Sequence, residues 1–412
     1  MDIKSKLLNF CKIIRKYGLD YCELEDMLMN VGVLLRTVTL NIDKWNVKRI
    51  PLISYIFTIF GFLCYFYIYF FSMIWCAFVR YRKSGYFIGS VIVFSLGAYT
   101  ESCAIRLLFM VINGKTIREV VDRYRTCNKQ VEPGTRLSRN ILKHLKTVKK
   151  RATYIWLGLV VNAYIYLILP FFLPGKQFAE NTLIIYGLDP ITESPNYEIA
   201  QAMYCFAIPT ATNSLANCTA FIIILFGYTE ASLLSLSEEL LNMWRDAETF
   251  YKGGIHENSK SKIMNEFVKQ RLKFIIKLHN ENIILLKQLE YVLRVSMALE
   301  FLVLMAGVIA ALLGGIENTY LEIPFAFAQL FMNCYLGQKI INASNTFESA
   351  VYGCKWENFD NANMRTVLIV LQNSQKKLHL SAGGVAVLSF ECLMSVVKSC
   401  YSFYTTLQST LK

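Results

Sequence analysis

Two stretches of the chain carry no charged residue for longer than a bilayer is thick: Pro51–Val79, 29 residues, and Ile199–Thr229, 31 residues. As helices, at ~1.5 Å of rise per residue, both overshoot a hydrocarbon core of ~30 Å. Hydrocarbon offers backbone groups no partner, so each run has to satisfy its own hydrogen bonds as a spanning helix. The first must tilt or protrude, and Pro209 is expected to kink the other. Further spans are read from about Gly85 to Ile112, Ala152 to Gly175, Val295 to Ile316, Ile323 to about Ile341, and within 380–412. With 54% apolar and only 18% charged residues, a soluble domain is excluded. The expected fold is an all-α membrane protein with seven transmembrane helices.

Charge between the spans sets the orientation. Residues 1–50, 113–151, 230–294 and 339–379 hold 36 of the 43 Lys and Arg, whereas the alternate segments and the last residue hold 5. Basic segments stay in the cytosol, which places the N-terminus there and the C-terminus outside. The cluster Arg80-Tyr81-Arg82-Lys83 is the one discordant feature. A net charge of +13 is thereby assigned to membrane orientation and anionic headgroups, not to nucleic acid. Residues 1–50 read as an amphipathic segment through Leu24, Met27, Leu28, Val31, Leu34, Leu35 and Val38. Residues 51–229 hold spans one to four, with a basic linker, helical from Arg136, inside them. Residues 176–198, with one lysine, four acids, Pro190 and Pro195, form an outside loop and lid. Residues 230–294 form a cytosolic helical extension broken at Gly253-Gly254, and 295–341 hold spans five and six. Residues 342–379 return to the cytosol before span seven, 380–412.

Within that last span, hydroxyls recur at Ser395, Ser399, Ser402, Thr406 and Ser409, in steps of four, three, four and three. This spacing puts all of them on one helical face. A hydroxylated seam suits a water-filled path through a membrane, and it equally suits close helix packing.

Charges inside the spans are few. Glu101 and Arg106 in span two read either as a gating pair or as a helix end reaching cytosolic water, with Arg106 snorkelling. Glu300 is embedded in span five. The twelve cysteines are scattered, have no CxxC pair and are absent from the outside segments, so they read as reduced or buried thiols. Four dispersed histidines give no metal-ligand spacing, and no cofactor is expected. The lysine-rich N-terminus does not read as a cleaved signal, and the sequon Asn217-Cys218-Thr219 falls inside a span, where it would stay unmodified. No nucleophile elbow, phosphate loop or metal cluster supports an enzyme. An N-terminus inside and a lack of outer-loop cysteines argue against G-protein coupling.

The C-terminal stretch Ser374-Gln375-Lys376-Lys377, Leu380-Ser381-Ala382-Gly383-Gly384 and Lys398-Ser399-Cys400-Tyr401-Ser402-Phe403-Tyr404-Thr405-Thr406-Leu407 resembles the signature of insect odorant receptors. The likeness continues upstream through Ser349–Trp356. Gustatory receptors are an alternative, but they end in a spaced Gln-Phe, whereas Gln408 here precedes Ser409. A secondary transporter is the other alternative; no internal repeat supports it.

The resemblance implies an odorant-gated, non-selective cation channel in the plasma membrane of sensory neurons. It implies a heterotetramer with the shared odorant co-receptor and a small volatile hydrophobic ligand. Residues 230–294 and 342–379 would anchor the subunits, and helix seven would line a central pore. Ser395, Ser399, Ser402, Thr405, Thr406, Gln408 and Ser409 are the pore candidates, Thr406 first. The ligand would sit in the outer half of the bundle, among Ile92, Phe94, Ser95, Asn162, Tyr166, Tyr204, Ile208, Thr212, Phe325 and Gln329.

Overall fold

Apolar side chains recurring every three to four residues dictate helix, and helix dominates the computed structural model, which describes residues 21–43, 50–172, 174–179, 181–251, 260–320 and 322–411. The amphipathic N-terminal pattern becomes α1 (Leu24–Thr37), burying Leu24, Met27, Leu28, Val31 and Leu35 on one face. Residues 1–20 of that segment and the Gly253-Gly254 break lie outside the described residues. α2 (Leu52–Ser84) contains two π-helical stretches, Phe66–Ser72 and Cys76–Arg80. It runs on past Val79, so the basic cluster is its last turn, and Gly85 at φ 69° ends it in the left-handed conformation glycine favours. α3 (Phe87–Ile112) and α4 (Gly114–Lys129) follow. α5 (Arg136–Ile168) opens where the Thr135 side chain accepts a hydrogen bond from Ser138 N.

The longest helices ignore the expected borders between membrane and cytosol. α6 (Asn196–Tyr251) passes through Pro209 and beyond Thr229 without a break, and α7 (Lys260–Gly314) fuses the extension to span five. Backbone hydrogen bonding is indifferent to whether side chains turn from apolar to charged. α8 (Glu322–Tyr352) and α9 (Asn361–Ser374) follow. Helix seven does not begin at residue 380. Ser381–Ala382 (β1) pairs antiparallel with Ala386–Val387 (β2), and α10 spans Phe390–Leu411. Gly383 and Gly384, at φ 66° and 78°, close this hairpin in a conformation a helix cannot use.

Among the described residues five helices, α2, α3, α5, α6 and α7, are long and apolar enough to cross a membrane by length and composition. α8 and α10, at 31 and 22 residues, have the length but carry more polar side chains. α6 is the central post: 94% of its apolar window is buried, against 11% in α5, whose apolar face points outward. The lid over 176–198 is packed down. It buries Phe178, Leu183, Ile185 and Ile191. Tyr81 Oη donates to Thr182 O (2.6 Å), Tyr67 Oη donates to Tyr186 O (2.9 Å), and Arg80 pairs with Asp189.

The snorkelling reading of Arg106 does not hold. Arg106 and Glu300 are 2% and 1% exposed and form a bidentate pair, with Arg106 Nε donating to Glu300 Oε1 at 2.9 Å. Arg106 Nη1 also donates to Thr219 Oγ1 (2.6 Å) and Nη2 to Asn333 Oδ1 (3.2 Å). One guanidinium thus ties α3, α6, α7 and α8 together. Glu101 is not part of this cluster, since five residues along a helix separate it from the face Arg106 uses.

The helical extension is held by polar contacts of its own. Arg136 forks onto Glu239 and Asp246, and Arg271 also meets Glu239. Asn363 Nδ2 donates to Asn265 O (2.9 Å), docking α9 on α7. His279 stacks on Phe347 with ring centroids 4.0 Å apart, and burial pushes its pKa down from 6.5 to about 4.

Two outcomes are expected. Arg106→Met strands Glu300 in the core and should cost about 3–5 kcal/mol, while Arg106→Met with Glu300→Met recovers most of it. The thermal midpoint of the detergent-purified protein reads both, and an unchanged midpoint in the single variant would refute the role given to the pair. Because the folded state keeps His279 neutral, its stability contribution is complete above pH ~6.5 and is lost as pH falls toward ~4. His279→Phe should flatten that part of the midpoint-against-pH curve.

Candidate functional site

A partly open cavity of about 90 Å³ lies between α2, α3, α5, α6 and α8. Its walls are Tyr69; Leu96, Tyr99, Thr100 and Cys103; Asn162, Ala163 and Tyr166; Ile208, Ala211 and Thr212; and Glu322 and Phe325. Each helix contributes side chains one or two turns apart, as expected of one inward face. Most of the surface is aromatic or aliphatic, with a few polar groups. Thr100 spends its hydroxyl on Gly97 O (2.8 Å), and buried Glu322 accepts from Ser95 Oγ (2.8 Å). The volume is below the roughly 300–1,000 Å³ of typical ligand pockets, so a molecule larger than a few heavy atoms has to push the walls apart. The half-buried rings of Tyr166 and Phe325 are the walls with most room to turn.

Of the residues expected from sequence, Asn162, Tyr166, Ile208, Thr212 and Phe325 line this cavity. Ser95 stands behind the wall, holding Glu322. Tyr204 is also behind it, its ring edge-on to Tyr69 (6.2 Å) and 5.3 Å from Phe178 of the lid. Ile92 packs instead where Gly314 lets α3 approach α7; a Cβ at Gly314 would lie 2.7 Å from Ile92 Cγ1. Gln329 is buried one turn beyond Phe325 without reaching the cavity. Phe94 faces outward, into a separate groove of about 710 Å³ formed by α2, α3 and α7. Tyr69 lies on the first span, which supplies none of the residues expected from sequence, and Glu322 falls just before the sixth span, which is read as starting at Ile323, so neither is among them. Leu96, Tyr99, Thr100 and Cys103 follow the Ile92–Ser95 turn on α3 and were legible in principle from helical spacing.

α10 docks by one face only. Leu393 and Cys400 are buried against the chain, while Ser395, Ser402, Thr405, Thr406, Gln408 and Ser409 are exposed and Ser399 is half-buried at the border. Thr405 and Thr406 both donate to Ser402 O (2.9 Å), and Ser409 donates to Thr406 O (2.8 Å). With their protons committed to the backbone, these hydroxyls present oxygen lone pairs outward.

A bundle of membrane-length helices around a largely apolar cavity is the architecture of a seven-helix membrane receptor. The sequence profile of the 7tm odorant receptor family matches residues 87–401, and the chain belongs to that family. It is 22% identical to odorant receptor 59a of Drosophila melanogaster over 75% of this chain and 79% of that one. It is also 22% identical to the odorant receptor co-receptor of Ooceraea biroi, there over 38% of this chain and only 35% of the relative's length. The fold is similar to that of the insect olfactory receptor OR5 from Machilis hrabei, with a TM-score of 0.72, 15% identity, and coverage of 94% of this chain and 99% of that one. The same receptor in complex with eugenol aligns with a TM-score of 0.69 at 14% identity, over 95% of this chain and 100% of that one.

Ala163 has no side chain beyond Cβ to occupy the cavity, so Ala163→Leu should fill it. Volatiles that raise the thermal midpoint of the purified protein should then need at least about tenfold higher concentration, a loss worth ~1.4 kcal/mol. An unchanged concentration dependence would place their binding elsewhere.

Proposed function

We propose that the chain is an odorant-gated, non-selective cation channel subunit, working with the shared odorant co-receptor at the plasma membrane. The observation that carries this reading is the mostly apolar cavity of Tyr69, Tyr99, Tyr166, Ile208, Thr212 and Phe325 in a chain of the odorant receptor family. Aromatic walls with a few polar groups suit a small, mostly apolar volatile. The structure of the Machilis hrabei receptor with eugenol, a receptor of the same fold, supports a ligand of that size class. The charge asymmetry of the inter-helix segments supports a cytosolic N-terminus and an extracellular C-terminus. Similarity to co-receptors of Ooceraea biroi and Harpegnathos saltator supports a common mode of subunit assembly.

The pore in this reading is lined by the exposed face of α10. One face of the helix is used to dock on its own chain, and the hydroxyl face is left for a central axis shared with other subunits. Rings of neutral oxygens prefer cations weakly and discriminate little among them. Residues 230–294 and 342–379 form the anchor between subunits, and Thr406 faces the gate. A ligand opens the pore only insofar as it binds the open state more tightly than the closed one.

The test is whole-cell current in a heterologous cell, with and without co-receptor, across a panel of volatiles. The expected result is a volatile-evoked cation current that needs both chains and has a response profile unlike that of co-receptor alone. Thr406→Leu should lower that current or shift its ion preference at unchanged surface level. Silence across the panel with the protein at the surface would overturn the channel reading, and unchanged permeation in Thr406→Leu would remove that residue from the pore.

A further inference from the structure

The outward groove of about 710 Å³ takes no part in the cavity, and the basic cluster at the end of α2 has no place in the orientation rule. The two meet. Phe78, Phe94, Val91, Ala306, Ile309 and Leu313 form an apolar trough on the membrane face, and Arg82 lines the same groove at the last turn of α2. Its neighbour Arg80 is committed to Asp189 and lies over the Trp75 ring at 5.8 Å. Arg82 and Lys83 are exposed and make no ion pair among the described residues. Tyr81 and Tyr86 flank the turn as an edge-to-face pair, 5.4 Å between centroids, as amphipathic rings do at headgroup level.

We propose that this groove is a phospholipid site: one acyl chain lies in the trough and the lipid phosphate is bound by Arg82, with Lys83 beside it. Arginine offers forked donors that match phosphate oxygens. Apolar contact alone would favour any hydrocarbon, whereas a free guanidinium at the groove's end selects a chain that carries an anionic head. The basic cluster is then kept on this side of the bundle by its ligand, against the charge rule that governs the other segments. The site does not rest on the channel reading, since it needs only that the bundle spans a membrane.

Native mass spectrometry of the detergent-purified full chain tests it, with dioleoyl phosphatidylglycerol and the phosphate-free dioleoylglycerol as probes. Arg82→Glu, at an exposed and unpaired side chain, should leave the fold intact and weaken phosphatidylglycerol retention about tenfold, the worth of a charge-assisted contact. Ala306→Phe, which obstructs the trough, should reduce retention of both lipids. Lys262→Glu, at an exposed position near the start of α7 and far from span five, serves as the charge control and should leave retention unchanged. Equal retention of the two probes by the unsubstituted chain, or undiminished phosphatidylglycerol binding in Arg82→Glu, would overturn the proposal.

Discussion

A single buried guanidinium holds the membrane bundle in register. Arg106 reaches from α3 to Glu300 on α7, Thr219 on α6 and Asn333 on α8, and no water is at hand in hydrocarbon to replace any of them. Breaking one partner leaves a charge that the surroundings cannot solvate, which is why the four helices cannot slide independently at this level. The cavity sits beside this node along the chain. Cys103 is one turn from Arg106, Thr212 two turns from Thr219, and Phe325 about two turns from Asn333. Walls that have to spread for a ligand are therefore fixed at a point close to one end of the cavity, and the movement left to them is rotation or tilt about that point.

The other end of the cavity is constrained differently. The lid is fastened to α2 through Tyr67, Tyr81 and Arg80, and it packs Phe178 onto Tyr204, whose ring touches Tyr69 of the cavity wall. α10 is coupled from a third direction. The glycine hairpin places Gly383 N on Arg294 O at 2.8 Å, and Gly337 of α8 meets Leu388 so closely that a Cβ there would lie 2.1 Å from Leu388 O. The helices that frame the cavity and the node, α7 and α8, are thus the ones on which α10 rests. In the channel reading this gives ligand and pore a shared pair of helices, packed too tightly to deform gradually.

Helix identity and membrane class followed from local rules. Uncharged runs, their length and the charge between them act through the bilayer, which treats each segment almost separately. The hydroxyl periodicity of 395–409 was legible for the same reason, since it depends only on helical geometry. The hairpin at 381–387 was signalled by Gly383-Gly384, and it was read as helix because the flanking residues are apolar. The long fusions of α6 and α7 were not signalled, because nothing in a helix backbone marks where the membrane ends.

What the chain determined by itself, then, is that it crosses a membrane as a bundle of helices with one hydroxylated seam, and where its family signature lies. What only tertiary structure decided is which side chains meet. Arg106 found Glu300, 194 positions away, rather than Glu101 nearby, and Phe94 turned outward while Tyr69 and Glu322 turned in. Spacing fixes the face of a helix but not the rotation of that face in a bundle. That rotation is set by packing among helices distant in sequence, with burial of a charge demanding a specific partner and burial of an aromatic ring demanding only room.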